Sequence, residues 1–178
     1  MERREAPLRP SEGGLVPEGD GWFVVNAREA RWKDGAFGPY VRFEGEARFP
    51  TLGINLNVLQ PGQPACMYHG EGEQEDFLVL AGEALLLVEG QERPLRAWDL
   101  VHCPPWTEHV IVGAGEGPCL VLSVGTRSGS GVVYPRADVA LRHDAGVEQE
   151  TRDPREAYAR FPDDVETPYR DGWLPDLG

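Results

Sequence analysis

The sequence contains almost no lysine. Lys33 is the single lysine among 17 basic residues, and 30 acidic residues bring the formal net charge to −13. Proteins that bind nucleic acid or an anionic membrane surface need basic charge to attract phosphate groups. We therefore expect neither nucleic acid nor a membrane among the partners of this protein.

Long apolar runs are also missing. No stretch approaches the ~20 residues that a membrane-spanning helix requires. The charged N-terminal residues 1–7 have no apolar stretch behind them, so we expect no signal peptide and a cytoplasmic protein.

Cysteine is scarce. The three cysteines are odd in number and form no C-x-x-C pair, which argues against a disulfide scaffold and a zinc ribbon. We expect buried thiols, with a thiolate ligand from Cys66 or Cys103 as the alternative.

Glycine and proline are abundant, with 22 and 16 copies in 178 residues. So many breakers exclude a helical bundle and favour short strands joined by tight turns. Leu52 to Val58 alternates apolar and polar residues, which predicts a strand with one buried face. Nine or ten such strands predict an all-β barrel over residues 21–134. We expect a loose N-terminal arm at 1–20 and a tail at 135–178, with a helix at 153–160 capped by Asp153.

Three of the four histidines lie in this strand-rich region, and acidic residues accompany the first. His69 and Glu71 point to the same side of an extended segment, and Glu75 follows after a short turn. With His109 they offer imidazole and carboxylate ligands for a divalent metal such as Zn, Fe, Mn or Ni. The alternative for the histidines is that they are hydrogen-bonded within the protein and bind no metal. The alternative for Glu71 is that it is a solvent-exposed turn residue within a series of acidic residues.

The spacing of these residues resembles the first motif of the cupin superfamily, commonly written G-x5-H-x-H-x3,4-E-x6-G. The corresponding residues here are Gly62, His69, Glu71, Glu75 and Gly82. One additional residue separates Gly62 from His69, and Glu71 stands where the motif has its second histidine.

A later stretch resembles the second cupin motif, G-x5-P-x-G-x2-H-x3-N. Pro104 and His109 are in register with it. Trp98 and Trp106 replace its two glycines, and Gly113 replaces the asparagine. The resemblance covers about residues 52–125.

The resemblance implies an all-β, cupin-type jelly-roll barrel with a metal held inside it. It implies His69, Glu75 and His109 as ligands, with Glu71 at the fourth ligand position. Glu71 is also the candidate general base if it binds the metal weakly. For His102 we expect a hydrogen bond that supports a ligand, with direct binding to the metal or a surface-facing position on its strand as the alternatives.

Two kinds of function are consistent with this resemblance. The first is a metal-dependent enzyme of the dioxygenase, isomerase or decarboxylase type that acts on a small molecule. The second is a non-catalytic cupin that binds a metal or a small molecule. A cavity beside the metal favours the enzyme, and a closed shell of protein ligands favours the second. We also expect a homodimer, because pairing covers exposed strand edges.

Overall fold

The protein, described here by a computed structural model over residues 4–175, is built from short antiparallel strands in two main sheets. The strands up to the first motif are β1 Leu8–Ser11, β2 Gly14–Pro17, β3 Trp32–Asp34, β4 Tyr40–Arg42, β5 Leu52–Leu59 and β6 Gly70–Glu71. Those that follow are β7 Glu75–Ala81, β8 Glu83–Val88, β9 Gln91–Arg96, β10 Leu100–Cys103, β11 His109–Ala114, β12 Cys119–Thr126, β13 Val132–Val133 and β14 Val165–Thr167.

The larger sheet has seven strands in the order β10-β7-β12-β5-β4-β3-β14, and the smaller has the order β11-β8-β9. Strands β7 and β8 are consecutive in the chain but belong to different sheets, so the chain crosses between the layers. Two further pairs, β1 with β2 and β13 with β6, complete the architecture. This arrangement confirms the predicted all-β jelly-roll fold.

The main hydrophobic core fills the space between the two sheets. Phe77, Val79 and Val121 contribute from the larger sheet, and Leu86 and Ile111 contribute from the smaller one. All five are less than 9% exposed. Removing this apolar surface from water stabilises the barrel and fixes which side chains face inward.

A second core lies on the outer side of the larger sheet. Trp32 is fully buried there with Val41 and Val58, and Tyr169 and Trp173 of the C-terminal segment pack against it. The larger sheet is therefore covered on both faces, with the C-terminal segment on its outer face.

The ends of the chain differ in detail from the sequence expectations. Within the predicted loose arm, β1 and β2 pair as a hairpin, and Leu15 bonds to Glu29 through the backbone. The predicted helix at 153–160 is only the four residues Pro154–Ala157, and Asp153 caps it by accepting from the Arg155 N–H. A second helix, Asp138–Leu141, carried no cap signal, and no side-chain cap is present. The division into arm, barrel and tail stays a prediction.

None of the helices in residues 4–175 has both the length and the apolar character needed to cross a bilayer.

Candidate metal site

Two histidines come together because the backbone pairs them directly. His69 and His109 form an antiparallel bridge, in which each N–H donates to the other's carbonyl at 3.2 and 2.8 Å. Directly opposed residues of an antiparallel pair project their side chains to the same side. Their rings accordingly lie 5.1 Å apart between centroids.

Glu75 reaches these rings from the other sheet. It is the first residue of β7, and its Oε2 lies 3.0 Å from Nε2 of His109 and 3.5 Å from Nε2 of His69. Within residues 4–175, these three residues form the group of potential ligands whose donor atoms all lie within 4.8 Å of one another. Ligands bound to a metal at about 2.1 Å lie roughly 3.0–3.4 Å apart at usual angles, which is close to the two distances above.

The protonation of the two imidazoles decides what this group can hold. Nδ1 of His69 donates to the Met67 carbonyl at 2.8 Å, and Nδ1 of His109 donates to the Thr107 carbonyl at 2.9 Å. A carbonyl can only accept, so Nδ1 of each ring carries a proton and Nε2 is the atom that faces the carboxylate, either as a second N–H or as the lone pair that a metal would bind. His109 Nε2 and Glu75 Oε2 are both buried without a hydrogen-bond partner among the described residues. A carboxylate faced by the Nε2 atoms of two imidazoles is stabilised by positive charge, either as protons on the rings or as a bound cation, so the residues present fit a divalent metal.

The pKa values of this group show the same demand for positive charge. Burial by itself would raise the pKa of Glu75, but the interaction with the protonated His109 and His69 rings holds it at about 2. Burial would lower the pKa of His109, but the Cys103 and Glu75 side chains raise it to about 10. Burial opposes the charged form of His69 as well, and its neighbours Cys66 and Glu75 raise its pKa well above the usual range.

Glu71 lies beside the cluster but outside the three-residue group. Its side chain is half-buried, and burial together with the negative charge of Glu75 raises its pKa. The charges of His69 and His109 act in the opposite direction. Glu71 is thus near enough to interact with the cluster electrostatically, and its role as a fourth ligand stays a prediction.

The structure does not bring His102 to the cluster. The residues of β10 alternate, with Val101 and Cys103 buried and His102 exposed on the opposite face. Its Nδ1 lies 2.6 Å from Oδ1 of Asp76, which is its cross-strand partner. The expected hydrogen bond to a ligand is therefore replaced by a surface pair, because strand alternation turns this residue outward.

The cluster lines a cavity of about 330 Å³ inside the barrel. Asn55 and Asn57 of β5 and Ser123 of β12 line its wall, and Tyr40 and Arg42 of β4 also take part. None of these five residues was predicted from the sequence to be part of the site. The alternation of polar and apolar residues in β5 was a sufficient signal, but its polar face was expected to meet solvent. The apolar face instead packs against the outer core around Trp32, and the asparagines face the cavity.

Comparison with known proteins agrees with this architecture. Residues 55–125 match the model of the cupin domain. These residues form a cupin domain. No curated protein matches the chain in sequence.

Several solved cupin-type structures resemble the chain. A protein from Acidithiobacillus ferrooxidans, provisionally named a sugar phosphate isomerase, is 29% identical with a TM-score of 0.43, over 47% of this chain and 54% of its own length. A Cupin 2 conserved barrel domain protein from Salinispora arenicola is 25% identical with a TM-score of 0.45, over 51% and 76%. A sugar phosphate isomerase of the cupin superfamily from Silicibacter pomeroyi is 23% identical with a TM-score of 0.48, over 75% and 74%. The match thus spans about half the length of the first of these proteins.

Two positions of the second cupin motif have an unusual backbone conformation. Trp98 and Trp106, which replace the two glycines of the second motif, have φ values of 76° and 70°. This left-handed region favours glycine, and a bulky residue adopts it only at a cost in energy. At both positions, glycine would suit the backbone conformation better than the tryptophan that is present.

Proposed function

We propose that this cupin binds a divalent metal through His69, Glu75 and His109 and is a metal-dependent enzyme acting on a small molecule. The observation that carries the proposal is the convergence of two Nε2 atoms and a carboxylate on one point inside the barrel. Imidazole and carboxylate donors suit Zn, Fe, Mn or Ni. When bound, the metal would supply Lewis-acid polarisation of a substrate oxygen or, for iron, dioxygen chemistry.

The cavity favours an enzyme over a purely structural metal site. Three ligands leave coordination positions open, and all three residues line the 330 Å³ space in which a small molecule can lie. The ring of Phe77 packs beside the cluster, with its centroid 5.2 Å from that of His109. A non-catalytic binding role is the alternative, and a dioxygenase, isomerase or decarboxylase reaction is the enzymatic class we propose.

Glu71 is the residue that we propose for proton transfer. Its carboxylate is half-buried beside the ligand group without belonging to it. A carboxylate next to the reacting centre can accept a proton from the substrate in place of solvent. The homodimer and the cytoplasmic location stay predictions.

Metal content of purified protein tests the proposal. Elemental analysis of protein prepared without chelators, or reloaded with Mn²⁺ or Zn²⁺, should give about one metal per chain. His109→Ala and Glu75→Gln should lose that metal, because each removes one of three ligands. His102→Ala is the matched control and should keep it, since His102 faces away from the cluster. Circular dichroism checks that each variant is folded.

Glu71→Gln separates the two roles of that residue. If Glu71 is a base and not a ligand, the variant binds metal as wild type does. A loss of metal equal to that of Glu75→Gln would make Glu71 the fourth ligand. Wild-type protein that takes up no metal, or a folded His109→Ala variant that retains it, would contradict the proposed site.

A further inference from the structure

The wall of the cavity opposite the smaller sheet is polar. Cross-strand pairing aligns Phe77, Ser123, Asn55 and Arg42 in one row across β7, β12, β5 and β4. Their side chains face the cavity together because residues in register on neighbouring strands share a face. The row runs from the strand that carries Glu75 to the strand that carries Arg42, a backbone distance of about 14 Å at three strand spacings.

The polar groups in this wall are suited to hydroxyl groups. Nδ2 of Asn57 donates to Oγ of Ser123 at 2.8 Å, so the serine hydroxyl is itself left to donate. Oδ1 of Asn55 is buried without a hydrogen-bond partner in the described part of the chain. An unpaired buried acceptor is costly, and a ligand hydroxyl that donates to it removes that cost.

The mouth of the cavity is basic, although the protein is strongly acidic. A depression of about 100 Å³ next to it is lined by Arg31, Lys33, Arg42 and Arg48, and it shares Tyr40 and Arg42 with the barrel cavity. Only 17 residues of the chain are basic and its net charge is −13. Four basic residues around one opening therefore concentrate positive charge there.

Most carboxylates at this mouth are already paired. Glu44 bonds to Arg127, and Glu166 bonds to Arg31 at 3.2 Å. Asp164 accepts a hydrogen bond from the Tyr40 hydroxyl at 2.9 Å.

The remaining cations are available to a ligand. No carboxylate in residues 4–175 makes an ion pair with Lys33, Arg42 or Arg48. Arg42 packs its guanidinium over the Tyr40 ring, 5.2 Å from the centroid, which holds it at the opening. A cationic opening raises the local concentration of anions and orients them as they enter.

We propose that the cavity binds a small polyhydroxylated anion, with its phosphate or carboxylate group at Arg42. Its hydroxyl groups bond to Asn55 and Ser123, and the end remote from the charge reaches the His69–Glu75–His109 cluster. A guanidinium binds either kind of anion through two parallel hydrogen bonds. The identification of this ligand as the substrate rests on the proposed function. The binding of the ligand does not depend on that proposal.

Calorimetric titration with three probes of equal carbon length tests the inference. Sorbitol 1-phosphate, gluconate and sorbitol carry a phosphate, a carboxylate and a neutral hydroxyl at the same end. We expect at least one of the two anions to bind and sorbitol to bind at least tenfold more weakly. The stronger of the two anions identifies the charged group. Titrations are made on metal-free and Mn²⁺-loaded protein.

Arg42→Gln should weaken binding of that anion at least tenfold and leave the metal content unchanged. Arg96→Gln is the matched control, because it removes the same charge from an exposed position on β9 in the other sheet. Asn55→Ala should weaken the binding of the anion and of sorbitol by the same factor, since it removes a contact with a ligand hydroxyl group and no charge.

The outcomes separate this inference from the proposed metal site. Equal affinity of Arg42→Gln and Arg96→Gln, equal affinity for sorbitol and the anions, or no binding of either anion would overturn the inference. Anion binding that depends on Arg42 in a protein that takes up no metal would support the inference and contradict the proposed function.

Discussion

Replacing Glu44 with glutamine should destabilise the junction between the segment after β4 and the end of β12. Glu44 is 6% exposed and accepts hydrogen bonds from the Phe49 N–H at 2.7 Å and from Arg127 at 2.5 and 3.1 Å. Arg127 also donates to the Phe49 carbonyl at 2.9 Å. One carboxylate therefore joins two parts of the chain that are distant in sequence.

The loss of stability on Glu44→Gln depends on how deeply the ion pair is buried and on which hydrogen bonds glutamine can still make. Breaking a buried ion pair by removing one partner costs about 3–5 kcal/mol. The Arg127 side chain is 30% exposed, so water partly compensates for the lost charge, and glutamine keeps an acceptor for the Phe49 N–H. We expect a loss of about 2 kcal/mol near neutral pH. For a chain of this size, that lowers the melting temperature by about 4–8 °C.

The effect depends on pH in a defined direction. Burial alone would raise the pKa of Glu44, but the bonds from Arg127 and Phe49 lower it below its ordinary value of 4.5. A carboxyl whose pKa is lower in the folded state stabilises the protein above the unfolded pKa and loses that contribution as the pH falls through the folded value. The difference between wild type and Glu44→Gln should stay constant down to about pH 5 and shrink below it.

Urea unfolding at several pH values measures this difference. Glu116→Gln, at an exposed turn position, is the control and should match wild type throughout. A Glu44→Gln variant within about 0.5 kcal/mol of wild type near neutral pH would refute the assigned strength of the pair. A difference that does not shrink on acidification would show that the charge of Glu44 is not what stabilises the junction.

Two further predictions concern left-handed backbone positions. Gly82→Ala should lower the free energy of unfolding, measured with urea, clearly more than Gly90→Ala does. Both have similar φ values, 76° and 72°, but a Cβ at Gly82 would lie 2.6 Å from the Pro118 carbonyl and one at Gly90 would contact nothing. Equal losses of unfolding free energy would mean that the backbone moves to relieve the contact between the new Cβ and the Pro118 carbonyl. Trp98→Gly should be more stable than Trp98→Ala by about 1 kcal/mol, because glycine suits the φ of 76° and the side chain is 73% exposed. The reverse order would show that the backbone there is unstrained.

The strand periods and turn residues were sufficient to predict the barrel. Alternation along Leu52 to Val58 and the glycines between apolar runs are local properties, so they can be read without knowing the partners of each strand. The resemblance to the two cupin motifs likewise singled out His69, Glu75 and His109 together with Glu71, because residue type and spacing are properties of the sequence alone.

The faces of individual strands could not be predicted in the same way. Asn55 and Asn57 line the cavity because the C-terminal segment with Trp173 covers the apolar side of β5, and nothing local to β5 indicates that cover. His102 faces outward for a similar reason, since the face of β10 is set by its pairing with β7.

The sequence by itself determined that this chain forms a β-barrel and which residue types could bind a metal. Those properties depend on local alternation and on the chemistry of single side chains. Only the tertiary structure decided that two imidazoles and one carboxylate meet, that Glu71 lies beside them, and that Arg42 stands at the opening. Such placements depend on which strands pair and which sheet covers which, and those contacts join residues too far apart in the chain for local patterns to specify.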